Sequence, residues 1–149
     1  MLQRFQTFVG GINCCYKYIQ QIKSIEMAEF GLKGTHAMCL FFLSQHPQGL
    51  TAAALSQLCA EDKAAISRTI ASLQKDGFIA ACDKKYRALL QLTEEGRQIA
   101  SQVTQIIEQW VDFGSFGISE EDRTTFYRVL GAIGNNLKTN IENNERKLV

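Results

Sequence analysis

Residues 51–77 read TAAALSQLCAEDKAAISRTIASLQKDG and hold two short helices in quick succession. Thr51 is a candidate N-cap for the first, because its hydroxyl can accept a bond from an otherwise unpaired backbone N–H; Leu55 and Leu58 form the inner face. Glu61 or Asp62 is a candidate N-cap for the second. That helix carries Ile66, Ile70 and Leu73 at i, i+4 and i+7 and stops at Gly77, which suits a left-handed C-terminal cap. Only residues 59–62 separate the two. After Gly77 the period changes, and the segments 78–82 and 88–92 flank the charged turn Asp83-Lys84-Lys85-Tyr86-Arg87, predicting a small hairpin.

Working outward, Phe5, Phe8, Val9, Ile12, Tyr16, Ile19 and Ile22 recur at steps of three and four and predict an amphipathic helix over 5–25. Gly31 and Gly34 punctuate the chain. Thr35 is a candidate cap for a second helix through Met38, Phe41 and Phe42, and His46-Pro47-Gln48-Gly49 ends it, since proline disfavours helix in the residue before it. Beyond the hairpin, Thr93 caps a helix of about 20 residues, ~30 Å long, with Ile99, Val103, Ile106, Trp110 and Phe113 on one face. It breaks at Gly114-Ser115-Phe116-Gly117. Ser119 and Asp122 have the spacing of a capping box and open a last helix carrying Phe126, Val129, Leu130, Ile133, Leu137 and Ile141. The expected fold is mainly α with a small β-hairpin wing. It is read as a single domain over 1–149, in which a winged helix-turn-helix lobe, about 35–93, is joined to helices at about 5–28 and 94–145. No repeat of about 20 to 50 residues is present, which excludes solenoids and propellers.

Two helices joined by a tight turn and followed by a charged hairpin form a winged helix-turn-helix, whose second helix suits the DNA major groove. With Ile66, Ile70 and Leu73 inward, the outward arc of that helix holds Ala64, Ser67, Arg68, Ala71, Ser72 and Lys75, and Lys63 opens it. Small side chains let the backbone sit deep in a groove, Ser67 and Ser72 can bond phosphate or base edges, and Arg68 can make a bidentate contact to guanine. No carboxylate lies on the arc. Taken alone, such an arc is equally a solvated helix face. The hairpin shifts the balance, because Lys84, Lys85 and Arg87 crowd into five residues beside Tyr86, a loop suited to a phosphate backbone or a minor groove. Residues 50–93 hold six basic side chains against four acidic ones, a net +2, leaving −1 for the rest of the chain. So modest an excess implies weak binding by one copy and duplication by dimerisation.

Asp62-Lys63-Ala64-Ala65-Ile66-Ser67-Arg68-Thr69-Ile70, then Leu73, Lys75-Asp76-Gly77-Phe78-Ile79 and Leu92-Thr93-Glu94-Glu95-Gly96, resembles the recognition helix, wing and post-wing helix start of the MarR family of bacterial transcriptional regulators. The order of elements matches across nearly the whole chain. The resemblance implies a homodimer in which the first helix and the last two pack against their symmetry mates, with two winged lobes reading a palindromic operator. It implies that Ser67 and Arg68 meet the major groove and that residues near Thr51 meet a phosphate. The family wing carries an Asp-x-Arg turn, whose arginine is matched here by either Lys85 or Arg87. Family members commonly sense a small molecule, often phenolic, and repression is their commoner mode; some sense oxidants through a cysteine on the first helix. Cys14 and Cys15 sit on that helix here, as an oxidant sensor activated by Lys17 or a tyrosine or, more simply, as small buried hydrophobes. No obvious match to the tyrosine pair of the peroxide-sensing branch is present.

Composition narrows the alternatives. A chain of 149 residues, 46% hydrophobic and 21% charged with a single proline, is one folding unit without a Pro-rich linker. Net charge +1 excludes an arginine-rich arm or an acidic tail. Neither a leader with a long apolar core nor a stretch of about 18 apolar residues is found, so the expected location is the cytoplasm, with no membrane partner. Five cysteines, an odd set with Cys59 and Cys82 isolated, read as reduced thiols. His36-x-x-Cys39 has ligand spacing but no second pair, so no metal and no cofactor are expected, and His36 reads as a satisfied helix residue. With two histidines, no Gly-x-Ser-x-Gly and no Gly-rich phosphate loop, the chain does not read as an enzyme. The rival reading is a winged-helix module that binds protein through the same surface and never touches DNA.

Overall fold

The structure is a computed structural model that describes residues 2–82 and 88–145. It contains α1 (Leu2–Ala28), α2 (Gly34–Ser44), α3 (Ala52–Cys59), α4 (Lys63–Lys75), β1 (Ile79–Ala81), β2 (Leu90–Leu92), α5 (Glu94–Gly114) and α6 (Glu120–Glu145). The chain divides into two compact units, residues 1–108 and 109–149.

In the first unit, one core gathers Met27 from the end of α1, Leu40 and Leu43 from α2, Leu55 from α3, Ile66 and Leu73 from α4, Ile79 and Leu90 from the hairpin, and Ala100 and Val103 from α5. The side chains that face this core differ in places from the expected ones. In α2 they are Ala37, Cys39, Leu40 and Leu43, with Met38, Phe41 and Phe42 only half-buried, because a helix apolar all round gives no periodic signal to choose a face. Leu58 is 41% exposed. Three residues after Leu55 it has turned past the inward direction, and Cys59, four residues after, takes that place. On α4, Thr69 is buried and Ile70 half-buried beside Ile66 and Leu73.

The caps explain where the elements begin and end. The N-cap of α2 is Lys33 rather than Thr35: the Lys33 N–H donates to Nδ1 of the buried His36 at 2.8 Å. Burial first, and Lys33 second, lower the His36 pKa, which suits a neutral ring accepting at Nδ1. The turn after α2 closes with the Gly49 N–H bonded to the His46 carbonyl. Thr51 caps α3 through Ala54 N–H, and Asp62, of the two candidates, caps α4 through Ala65 N–H at 2.8 Å. At the far end of α4, Gly77 at φ +78° lets the Phe78 N–H reach the Leu73 carbonyl.

The two strands pair antiparallel with Ile79 opposite Leu92 and Ala81 opposite Leu90, and Leu50 adds a bridge to Leu90. Thr93 then joins the hairpin to α5. Its hydroxyl donates to the Gly77 carbonyl at 2.6 Å and accepts from the Gly96 N–H at 3.0 Å, while its own N–H bonds the Phe78 carbonyl.

In the second unit, residues 115–117 turn with Gly117 at φ +75°, and Ser119 caps α6 by accepting from the Asp122 N–H at 3.1 Å. The Asp122 carboxylate bonds the Ser119 hydroxyl, not its N–H, so only half of the expected capping box forms. Phe126, Val129, Leu137 and Ile141 are exposed along α6, with Leu130 and Ile133 half-buried. In the first unit, Leu2, Phe5, Phe8, Ile12, Tyr16 and Ile19 are likewise exposed along α1.

Candidate nucleic-acid interface

The arc expected on the second short helix is formed by α4. Lys63, Ala64, Ser67, Arg68, Ala71 and Lys75 are all exposed, and Ile66, Thr69 and Leu73 on the opposite face anchor the helix in the core. Among the described residues, Lys63, Arg68 and Lys75 have no ion-pair partner. Among the described residues no carboxylate pairs with these charges, which leaves them available to an anionic partner. Ser72 differs from Ser67: it is half-buried, and its hydroxyl lies 3.4 Å from the Asp76 carboxylate. Thr51 is half-buried, with its hydroxyl committed to the α3 N-terminus.

The start of α4 is held rigidly. The α3–α4 connection places Ala60 in the left-handed region at φ +53°, the Ser56 hydroxyl donates to the Glu61 carbonyl at 2.6 Å, and the Glu61 N–H returns to the Ser56 carbonyl at 3.1 Å. With Asp62 capping the next turn, Lys63, Ser67 and Arg68 are presented from a fixed platform rather than a loop. Lys84, Lys85 and Arg87 of the hairpin tip lie outside the described residues.

Cys14 and Cys15 are exposed on α1. The neighbouring Lys17 ammonium lies 5.6 Å from the ring centre of Tyr18. Cys59 is not isolated: its sulfur lies 3.8 Å from that of Cys39. Sequence spacing gave no sign of this pair, since 20 residues and a helix boundary separate the two. A cleft of about 230 Å³ in the first unit, lined by Leu43, Ser44, His46, Gln91, Arg97 and Ser101 among others, was equally invisible in the sequence. Arg97 there donates to the Leu92 carbonyl and pairs with Glu94 at 2.6 Å.

Residues 30–87 match the MarR family model. Over that stretch the winged lobe is similar to the MarR family. Solved structures extend the likeness of fold beyond it. A MarR-family regulator from Listeria monocytogenes, crystallised with a 26-mer DNA, shares 23% identity at a TM-score of 0.80, covering 87% of each chain. The DNA complex of MepR from S. aureus shares 18% at 0.79, covering 89% of this chain and 97% of that one. A MarR/EmrR-family regulator from an Acinetobacter species shares 20% at 0.80, covering 93% and 99%. A search of curated protein sequences returns no match. The run Leu92-Thr93-Glu94-Glu95-Gly96, just beyond the matched stretch, has a physical meaning: Thr93 ties the hairpin to α5, and Gly96 leaves room for the Phe78 carbonyl. No described helix is long and apolar enough to cross a membrane.

Proposed function

We propose that the protein is a sequence-specific DNA-binding regulator of transcription that acts as a dimer and represses. The observation that carries this reading is the exposed arc of Lys63, Ser67 and Arg68, whose cations have no ion-pair partner among the described residues, on a capped helix within the stretch that matches the MarR family model. Two of the solved proteins that share the fold are complexes with DNA. In this reading α4 enters the major groove, Arg68 and Ser67 read base edges, Lys63, Lys75 and the residues near Thr51 contact phosphates, and Ser72 contributes less because Asp76 engages it. Lys84, Lys85 and Arg87 contact backbone or minor groove from the wing.

Dimerisation follows from the rows of exposed apolar side chains along α1 and α6, since contiguous apolar surface marks an association face. A second copy buries them and sets two lobes on a palindrome. The whole chain then acts as one MarR-like domain, with 35–93 reading DNA and 5–28 and 94–145 dimerising, in the cytoplasm where the operator is. The cleft beside Arg97 is the place for a small-molecule effector; at about 230 Å³ it suits a molecule smaller than the ~300–1,000 Å³ typical of ligand pockets.

Titration of a duplex at rising salt tests the reading. Counterion release from 6 to 10 contacted phosphates weakens binding by roughly 10³- to 10⁵-fold between 50 and 200 mM salt. That fall is the expected result. A flat profile, or no binding at low salt, would instead favour the protein-binding module.

A further inference from the structure

The thiol pair Cys39–Cys59 has no part in DNA reading, yet it sits directly beneath the helix-turn-helix. Cys39 lies on α2 and is fully buried, while Cys59 is the last residue of α3 and is half-buried. Their sulfurs are 3.8 Å apart and share a hydrogen bond. We propose that Cys39 and Cys59 are a hydroperoxide-oxidisable dithiol that closes to an intrachain disulfide, and that this bond pulls α4 out of its DNA-reading position. The second half of the proposal rests on the DNA-binding reading above; the first does not.

Access and electrostatics assign the roles. Cys59, half-buried where Cys39 is fully buried, is the more accessible of the two. The hydrogen bond from Cys39, helped by the Lys23 charge, lowers the Cys59 pKa against the opposing effects of burial and Glu61. The same hydrogen bond, together with burial, pushes the Cys39 thiol up, so Cys39 keeps its proton and waits as the resolving thiol.

The Cys59 thiolate attacks the terminal oxygen of a hydroperoxide ROOH; the O–O bond breaks, and the alkoxide leaves and takes up a proton as ROH. Cys59 is now a sulfenic acid. The Cys39 sulfur attacks the Cys59 sulfur, the S–O bond breaks, and the departing hydroxide leaves as water with the Cys39 proton. Two thiols have lost two electrons and two protons, and ROOH has become ROH and water.

Closing the bond brings the sulfurs from 3.8 Å to about 2.0 Å. In the regulatory half of the proposal this gap closes by a shift of the end of α3 toward α2. Three residues further on is the α4 N-cap, and the Ser56–Glu61 and Asp62–Ala65 hydrogen bonds make the connection stiff. The displacement passes to Lys63, Ser67 and Arg68 rather than being absorbed in a loop.

The test uses the full chain carrying Cys14→Ser, Cys15→Ser and Cys82→Ser, which removes the exposed thiols. Hydrogen peroxide is added, a non-reducing digest is mapped by mass spectrometry, and affinity is measured for the duplex selected on reduced protein. The expected results are a linked Cys39–Cys59 peptide pair and a fall in affinity of about ten-fold or more, the size of one lost base contact. Dithiothreitol reverses both, and adding Cys59→Ser abolishes both. Free thiols after peroxide, or over-oxidation of Cys59 without a Cys39 link, overturn the dithiol. A complete disulfide with unchanged affinity overturns the regulatory half. If the reduced protein binds no duplex, the DNA-binding reading fails and the regulatory half falls with it, while the peptide map still decides the chemistry.

Discussion

Arg68→Ala is expected to remove operator binding while leaving the fold and the proposed dimer intact. Arg68 is exposed at the middle of the α4 arc and has no ion-pair partner among the described residues, so its loss breaks no ion pair there. A bidentate contact to guanine is worth about 1–3 kcal/mol. A dimer makes it twice, so the loss is roughly 2–6 kcal/mol, or about 30-fold to more than 10⁴-fold in affinity. Arg68→Lys separates charge from geometry: it keeps the cation but not the planar fork. It is expected to retain salt-dependent binding to arbitrary duplexes and to lose most discrimination at the guanine. Competition titration with specific and scrambled duplexes measures both. Unchanged discrimination in Arg68→Ala would take this residue out of base reading.

Gly96→Ala has the largest expected effect on folding, and its sign is informative. In an exposed helix interior, alanine is preferred to glycine by about 0.8–1.0 kcal/mol, so propensity alone predicts stabilisation. Here a Cβ would stand 1.8 Å from the Phe78 carbonyl oxygen and 2.8 Å from its carbon. That carbonyl is pinned by the Thr93 N–H, and Thr93 in turn holds Gly77 and caps α5. Relief requires backbone to move, not a flexible side chain. The expected loss is about 3 kcal/mol or more, at the upper end of overpacking costs, read as a marked fall in Tm. A Tm equal to or above that of the parent would show that the hairpin and α5 are not locked together in this way.

How much of this was legible in the sequence depended on whether local chemistry or long-range contact set the outcome. The order of elements, most of the α4 arc and the caps at Thr51, Gly77 and Thr93 were readable because each is decided within four or five residues, whereas the choice of Asp62 over Glu61, and the turn of Ser72 toward Asp76, needed the structure. Where a helix is apolar on every side, as in α2, periodicity has nothing to report, and the burial of Cys39 and Leu40 is chosen by neighbours distant in sequence. The cap at Lys33 was missed because its partner is a ring nitrogen of His36 and not a hydroxyl or carboxylate on the capping residue itself. Leu58 was misplaced by one helical step, and that same step brings Cys59 against Cys39. The cleft beside Arg97 gathers residues from α2, β2 and α5, which no local pattern could bring together. Gly96 was visible only as a motif; its reason, the Phe78 carbonyl, appears in three dimensions.

Selection of random duplex DNA on the reduced 149-residue chain tests the central claim most directly. The predicted result is enrichment of a palindrome whose half-sites lie about one helical turn apart, each with a guanine protected by Arg68. Failure to enrich any sequence under reducing conditions would contradict it and leave the winged lobe as a surface for protein.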